Sequence, residues 1–298
     1  MSKSNTSLKI GAVTYLNSKP LIEDLAELLP AATLRLDYPS RLADDLGAGR
    51  LDVALIPSIE YFRLAEFAPC RIVSDACVAT HGAVRSVKLY TRVPWREIKT
   101  LALDEGSRTS ATLARIMLHE RFGLTPRRTT FPLGSRIEET TADAVLMIGD
   151  RAMSPPLEQF HDVWDLGEEW HRHTGLPFVF AMWVASGSYV KRQDQPANLV
   201  RSNGEVAVGQ ENELEPLVVA LAEARDRGVA RCEAIAAREA PALGLAVDET
   251  IRYFTENLFF TLGPAERQGL ELYYRLAASL RLAPSGVCCE FRDPAVAR

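Results

Sequence analysis

The sequence predicts a two-lobed α/β fold in which two mixed sheets enclose a cleft. The chain has 298 residues, 47% of them hydrophobic, and single cores stop growing at about 250–300 residues, which favours two lobes. Apolar strand-like runs alternate with amphipathic helical runs, which indicates largely parallel sheets. A later apolar run, residues 178–185, resembles a strand that returns to the first lobe, so one lobe interrupts the other.

The first lobe begins with a βαβαβ series. Its predicted elements are a strand at 9–13, a helix at 20–29, a strand at 34–38, a helix at 40–48 and a strand at 53–56. Ser40 and the glycines after the second helix provide the cap chemistry of a short helix. A β-rich block, residues 71–92, then leads out of this lobe.

The second lobe has its own alternation of elements. Its predicted strands are at 100–103, 129–131 and 144–148, with a helix at 110–122 that Gly123 ends. We therefore assign residues 1–92 and 179–298 to the first lobe and residues 93–178 to the second.

The C-terminal part is predicted to contain only helices, which buttress the first lobe. They span 214–230, 234–240, 248–260 and 264–280, and the polar stretch 191–210 is typical of an exposed linker. A lobe that another lobe interrupts, with two crossings between them, is the topology of type II periplasmic-binding-protein-like folds. Ligands of such folds bind at the hinge.

Composition argues against several classes of partner. The net charge of -5 and the lack of a Lys or Arg run argue against nucleic acid. Residues 1–7 are polar and no long apolar segment follows, so we expect no membrane association and a cytoplasmic location. The five cysteines lack metal-ligand spacing, and too few glycines are present for a nucleotide fingerprint, so we expect no metal site and no nucleotide binding.

Polar side chains follow the first predicted strand. Tyr15 and Asn17 come after Val13, and Pro20 then opens a helix. Ligands of open α/β sheets bind outside the carboxyl ends of the strands. The sequence therefore predicts ligand contacts here, with helix capping by Asn17 or Ser18 as the alternative.

A second candidate segment precedes the helix of the second lobe. Ser107, Arg108, Thr109 and Ser110 offer hydroxyl groups and backbone N–H groups at a helix start, which suits a carboxylate. A plain capping loop is the alternative.

Other polar residues flank predicted strand ends. They are Ser58, Glu60, Ser86 and Asp150. Taken singly, each is more typical of a cap, turn or ion pair than of a catalytic group. No GxSxG motif or Ser/His/Asp set indicates a nucleophilic hydrolase.

Taken together, several ordered motifs resemble the chorismate dehydratase family of the futalosine route to menaquinone. The motifs are residues 11–17 (GAVTYLN) with Pro20, 52–58 (DVALIPS), 107–110 (SRTS), 143–150 (DAVLMIGD), 165–170 (DLGEEW) and 174–181 (TGLPFVFA). The resemblance covers residues 8–190 and, more loosely, the helical tail around 253–277.

This resemblance implies a cofactor-independent hydro-lyase that converts chorismate to 3-[(1-carboxyvinyl)oxy]benzoate. The family's catalytic Asn and Ser correspond to Asn17 and Ser86. The substrate's enolpyruvyl carboxylate would act as the base, with Glu60 and Asp150 as protein alternatives. The residues that we expect to bind the substrate are Tyr15, Ser58, Ser107, Arg108, Thr109, Ser110, Gly149 and Asp150.

Other interpretations stay open. The 1,4-dihydroxy-6-naphthoate synthase of the same pathway shares the bilobal architecture, although the SRTS and GDRA segments argue against it. A non-catalytic carboxylate-binding protein should carry an export signal or a lipobox cysteine. A ligand-sensing domain fits the fold, but no helix-turn-helix segment precedes it. The oligomeric state is not predicted.

Overall fold

Two β-sheets organise the chain in a computed structural model that describes residues 7–193, 214–289 and 291. The strands are β1 (Lys9–Val13), β2 (Thr33–Asp37), β3 (Val53–Pro57), β4 (Arg71–Thr80), β5 (Val87–Thr91), β6 (Thr100–Asp104), β7 (Arg127–Phe131), β8 (Ala144–Ile148), β9 (Asp162–Asp165), β10 (Phe178–Ala185) and β11 (Phe259–Thr261).

Helices cover the sheets and form the C-terminal part. The α-helices are α1 (Leu25–Leu28), α2 (Pro39–Gly47), α3 (Ser58–Ala65), α4 (Thr109–Phe122), α5 (Leu166–Thr174), α6 (Gly187–Gln193), α7 (Leu214–Ala230), α8 (Cys232–Glu239), α9 (Val247–Arg252) and α10 (Pro264–Ser279). A 3₁₀ helix, Leu16–Leu21, follows β1, and a π-helical turn, Tyr253–Asn257, follows α9.

The first sheet has the strand order β11-β4-β10-β3-β1-β2. Strand β1 pairs in parallel with β2 and β3, as the βαβαβ pattern predicts. Strand β10 lies antiparallel between β3 and β4 and is buried throughout, so the predicted return of the chain to this sheet is confirmed.

The second sheet has the order β7-β6-β8-β5-β9. Strand β6 is parallel to β7 and β8, whereas β5 is antiparallel to β8 and β9. Strand β5 therefore hydrogen-bonds in the second sheet, although the boundary predicted at residues 92 and 93 assigned it to the first lobe. The chain crosses between the sheets after Thr80 and before Val87, in a loop that interrupts the predicted β-rich block.

The predicted helix at 20–29 is wrong. Its place is taken by the 3₁₀ helix and the short α1, which Asp24 separates with a left-handed φ of 56°. Pro20 lies inside the 3₁₀ helix and does not open an α-helix. Because only one turn of α-helix remains, Asn17 lies in the 3₁₀ helix, which packs against α7, α8 and β4.

The prediction that the C-terminal part contains only helices is also wrong. The expected helix at 248–260 is divided into α9, the π-helical turn and β11, and β11 pairs antiparallel with β4 at the edge of the first sheet. An edge strand buries one side chain in two, which gives a short alternating pattern easily taken for helix. The other three predicted helices are present as α7, α8 and α10.

The C-terminal helices contact both lobes. Helix α7 packs against the 3₁₀ helix and β4, whereas α10 packs against β10, α3 and the second-lobe helix α4. One hydrophobic core runs through both sheets and these helices. The predicted linker at 191–210 lies outside the described residues beyond Gln193. No helix in the described ranges has the length and apolar character needed to span a bilayer.

Candidate active site

A cavity of about 50 Å³ lies between the two sheets, where their strand ends meet. This volume holds only a few water molecules, so the cleft is narrow. The residues that line it are Val13, Tyr15, Asn17, Pro39, Pro57, Val78, Val84, Ser86, Val87, Gly106, Ser107, Arg108, Thr109, Ser110, Ile148, Gly149, Phe180 and Ala181. Eight of the ten predicted site residues belong to this set; Ser58 and Asp150 do not.

Asn17 lines the cavity and carries an oxygen without a partner in the described chain. Its Oδ1 is buried and finds no hydrogen-bond partner among the described residues. The turn after β1 is instead held by Ser18, whose Oγ donates to the carbonyls of Val13 and Tyr15. Asn17 is therefore not the cap of this turn. A buried acceptor without a partner costs about 1–3 kcal/mol, which a ligand donor would recover.

Ser86 is held by the loop that joins the two sheets. Arg85 has a left-handed φ of 62°, which is rare for a residue other than glycine. The Asp165 carboxylate fixes this loop by accepting from the backbone N–H groups of Val84, at 2.9 Å, and Arg85, at 2.7 Å. The Ser86 carbonyl also accepts from the Gly149 N–H at 2.9 Å. The loop thus fixes the backbone of a serine whose side chain lines the cavity.

Tyr253 contacts the cavity-lining Ser86, and the sequence did not single it out. Its hydroxyl donates to Ser86 Oγ at 2.8 Å, and both side chains are buried, at 0% and 1% exposure. Burial raises the pKa of Tyr253, so the phenol stays protonated as a donor. The two residues are 167 positions apart in the chain, and no local pattern links them.

The start of α4 forms one end of the cavity. Ser107 Oγ accepts from the Ala111 N–H at 3.0 Å, so Ser107 serves partly as a cap, as the plain-loop alternative predicted. Thr109 Oγ1 accepts from the Ile59 N–H at 3.3 Å. Ser110 also lines the cavity. The first-turn N–H groups of a helix have no acceptor within the helix, and its positive dipole end favours an anion.

Arg108 brings a cation to the same end. Its Nη2 donates to both carboxylate oxygens of Asp44, each at 3.1 Å, and Asp44 belongs to α2 on the first lobe. Arg108 therefore lines the cavity and joins the two lobes by an ion pair.

Tyr15 packs against a glycine wall. A Cβ at Gly149 would lie 2.7 Å from the Tyr15 ring, and the φ of 73° at Gly149 also disfavours a side chain. Burial, with the nearby charge of Asp104, raises the pKa of Tyr15. The Tyr15 phenol is therefore neutral. It can occupy this position only because residue 149 has no side chain.

Two predicted binding residues, and one predicted alternative base, lie outside the lining. Ser58 is fully buried and donates to the Val179 carbonyl at 2.8 Å. Asp150 Oδ1 accepts from the Leu16 N–H at 2.9 Å, and burial raises the pKa of this carboxyl to about 6. Glu60 pairs with Arg63 and lies 3.9 Å from Nη1 of Arg108. Each group thus has a protein partner and is absent from the residues that line the cavity.

Metal ligands are not gathered at this site or elsewhere in the described parts of the chain, where no three His, Cys, Asp or Glu side chains cluster. The cavity instead offers neutral hydrogen-bonding groups, apolar walls such as Phe180, and the positive end of α4. Such a set suits a small organic anion with an apolar ring and a polar substituent.

Comparisons with solved structures show the fold. A protein from Archaeoglobus fulgidus superposes with a TM-score of 0.67 at 13% identity, covering 94% of this chain and all of that one. The periplasmic aliphatic sulphonate binding protein from Escherichia coli superposes with a TM-score of 0.57 at 16% identity, covering 94% of each chain. The periplasmic-binding-protein fold expected from the topology is confirmed.

Comparisons of sequence are more specific. The chorismate dehydratase of Thermus thermophilus is 29% identical over 291 residues, which cover 92% of this chain and 96% of that protein. The chorismate dehydratase of Campylobacter jejuni is 29% identical over 177 residues, or 57% of this chain and 64% of that protein. A family model described as menaquinone biosynthesis matches residues 8–279. The chain therefore belongs to the menaquinone biosynthesis family.

Proposed function

We propose that this protein is a hydro-lyase that dehydrates chorismate to 3-[(1-carboxyvinyl)oxy]benzoate in menaquinone biosynthesis. The observation that carries the proposal is that two residues line the same cavity: Asn17, whose Oδ1 has no partner in the described chain, and Ser86, whose hydroxyl accepts from Tyr253. The family membership and the two chorismate dehydratases that the chain resembles support it.

The reaction places modest demands on the protein. Loss of water removes the ring hydroxyl and the hydrogen of the neighbouring carbon, and the ring becomes aromatic. The enzyme must position the ring, stabilise charge on the departing oxygen and allow a base to reach the hydrogen. Neutral hydrogen-bonding groups can serve the departing oxygen, and such groups line this cavity.

Asn17 and Ser86 are the catalytic residues of this proposal. An amide both donates and accepts, and the Ser86 hydroxyl can donate its hydrogen, so together they can bind the departing hydroxyl as its charge grows. Tyr15 and Gly149 shape the wall that faces the ring. The start of α4, from Ser107 to Ser110, and the Arg108 cation receive a substrate carboxylate.

The base is the substrate's own enolpyruvyl carboxylate. Two observations support this assignment: Glu60 is paired with Arg63, and Asp150 is bound by the Leu16 N–H, with neither carboxylate in the cavity lining. Changing either one to its amide should leave turnover within about tenfold of the wild type. Loss of turnover in Glu60→Gln or Asp150→Asn, with chorismate affinity intact, would show that the protein supplies the base.

Chorismate, the proposed small-molecule substrate, is an intracellular intermediate. We accordingly propose a cytoplasmic location. Neither nucleic acid nor a membrane takes part in this reaction.

The direct test is to incubate the purified protein with chorismate. Mass spectrometry should find a product lighter by one water, and the ultraviolet spectrum should change from that of a cyclohexadiene to that of a benzoate. Chorismate that binds tightly and is recovered unchanged would contradict the proposal. That result would favour a non-catalytic carboxylate-binding protein, which the same fold accommodates.

A further inference from the structure

The C-terminal segment reaches into the cavity wall through two hydrogen bonds. Tyr253 Oη donates to Ser86 Oγ at 2.8 Å, and Asn257 Nδ2 donates to the Ala83 carbonyl at 2.9 Å. Both donors lie in the π-helical turn that follows α9. Such turns are rare and recur at functional sites. We therefore interpret the contact between this turn and the Ser86 loop as functional and not only as packing.

The direction of the Tyr253 hydrogen bond determines what Ser86 can do. A phenol is a more acidic donor than an aliphatic hydroxyl, so the tyrosine donates and the serine oxygen accepts. Ser86 keeps one hydrogen of its own, and no group in the described ranges accepts it. Because one lone pair of the serine oxygen is occupied, rotation of its hydroxyl is restricted and its hydrogen is available to a ligand in the cavity.

Two further features keep this arrangement in place. The Ser86 backbone is fixed by the Val84 to Ser86 loop, which Asp165 clamps through two backbone N–H groups. The Tyr253 ring is fully buried and packs at 5.9 Å from the ring of Phe254. Because two hydrogen bonds hold the loop and the ring is fully buried, the hydroxyl pair is preorganised before a ligand binds.

We propose that Tyr253 is a positioning residue that orients the Ser86 hydroxyl towards the departing hydroxyl of the substrate. Tyr253 does not line the cavity and transfers no proton. Its donated hydrogen bond makes the serine a stronger donor, because linked hydroxyl groups polarise one another. This inference rests on the proposed function, since it concerns the role of Ser86 in that reaction.

The test is a double-mutant cycle on turnover. Tyr253→Phe removes only the hydroxyl and should lower kcat about five- to tenfold, the worth of one neutral hydrogen bond, while KM stays within twofold. In the Ser86→Ala background the same change should have no further effect on kcat, because the residue through which Tyr253 acts is gone. An equal loss of kcat in both backgrounds would overturn the proposal.

A matched control separates positioning from stability. Tyr274→Phe removes a tyrosine hydroxyl on α10 that donates to the Pro284 carbonyl at 2.9 Å and accepts from the Val287 N–H at 2.7 Å, away from the cavity. Because two hydrogen bonds are lost, it should lower the unfolding temperature at least as much as Tyr253→Phe and leave kcat unchanged. A parallel fall of kcat in both variants would reduce Tyr253 to a structural residue.

Failure of the proposed function has its own readout. If the wild type binds chorismate without producing a benzoate, that function is wrong whatever Tyr253 does. The cycle is then measured on the chorismate dissociation constant by calorimetry. Coupling of at least threefold between Tyr253 and Ser86 would retain the positioning role for binding, and its absence would overturn that as well.

Discussion

Asn17 keeps a hydrogen-bonding oxygen where water does not reach it. The sequence placed this amide at the end of the first strand, and only the structure shows that neither Asn17 nor Ser18 caps the 3₁₀ helix. Ser18 Oγ bonds carbonyls of the turn, and Asn17 Oδ1 is left without a partner in the described chain. An unpaired acceptor lowers the stability of the folded protein. Such a cost is typical of functional sites, where the group binds a ligand.

Replacement of Asn17 by alanine should separate turnover from stability. We expect kcat to fall by about a hundredfold, because the Nδ2 group of the same amide is lost as a donor to the developing negative charge. KM should change much less. The unfolding temperature should stay the same or rise, because an unsatisfied buried oxygen is removed. Steady-state kinetics and thermal unfolding measure both effects, and wild-type turnover would exclude Asn17 from the mechanism.

The Asp150 carboxyl predicts a pH effect on stability. Burial raises its pKa to about 6 in the folded protein, above the ordinary value of 3.8. The folded state therefore holds the proton more tightly than the unfolded state, so its contribution to stability is complete below pH 4 and is lost as the pH rises to 6. In Asp150→Asn this loss is absent.

The free energy of unfolding of the wild type should accordingly fall relative to that of Asp150→Asn as the pH rises. Relative to the wild type, Asp150→Asn should gain about 1–3 kcal/mol between pH 4 and pH 7. The amide oxygen can still accept from the Leu16 N–H, as the carboxylate does. Urea unfolding at several pH values provides the comparison. Stability curves that run parallel across this range would contradict the raised pKa.

At the scale of elements, the sequence predicted what local chemistry determines. Helix α4 ends at Gly123, whose φ of 69° needs a glycine, and the predicted helix differs from it by one residue at its start. The same local signals identified the segments that carry Asn17 and Ser107. Strand β11 and the π-helical turn were missed because they depend on pairing with β4 and the Ser86 loop, both distant in sequence.

Packing of α7 on the 3₁₀ helix gives an element-scale prediction. A Cβ at Gly228 would lie 1.9 Å from the Pro20 carbonyl oxygen, so Gly228→Ala must displace the 3₁₀ helix that carries Asn17. We expect the free energy of unfolding to fall by about 3 kcal/mol and kcat to fall as well. Urea unfolding and kinetics test this, with Gly82→Ala as the control for stability, since nothing lies within 4 Å of its added Cβ.

At the scale of the whole molecule, contacts between the lobes surround the cavity. Arg108 pairs with Asp44, Thr109 accepts from the Ile59 N–H, and Asp150 accepts from the Leu16 N–H. Each of these contacts joins an element of the first lobe to an element of the second lobe. None could be predicted from the sequence, because each joins segments that only the closed arrangement of the two lobes brings together.

Removal of Asp44 should therefore weaken substrate binding more than turnover. The carboxylate is largely exposed, so its pair with Arg108 contributes at most about 1 kcal/mol. We expect Asp44→Ala to raise KM two- to fivefold with kcat within twofold. Added salt should bring the wild-type KM towards that of the variant, since it screens exposed charges.

The control is Asp248→Ala, which removes an exposed carboxylate from α9 that has no ion pair among residues of known position. It changes the net charge equally and should not alter KM. An equal rise of KM in both variants would mean that overall charge, and not the Arg108 pair, determines binding.

The hydrogen bond between Tyr253 and Ser86 also has a consequence for folding of the enzyme during its synthesis on the ribosome. Ser86 emerges early, but its partner follows 167 residues later. At a synthesis rate of about 5–20 residues per second, Ser86 waits on the order of ten seconds or more for its partner. Both sheets' central strands can pair before that time, so a nascent chain can form the cleft while its chemistry is still incomplete. Activity would thus arise late, as one of the last events of translation.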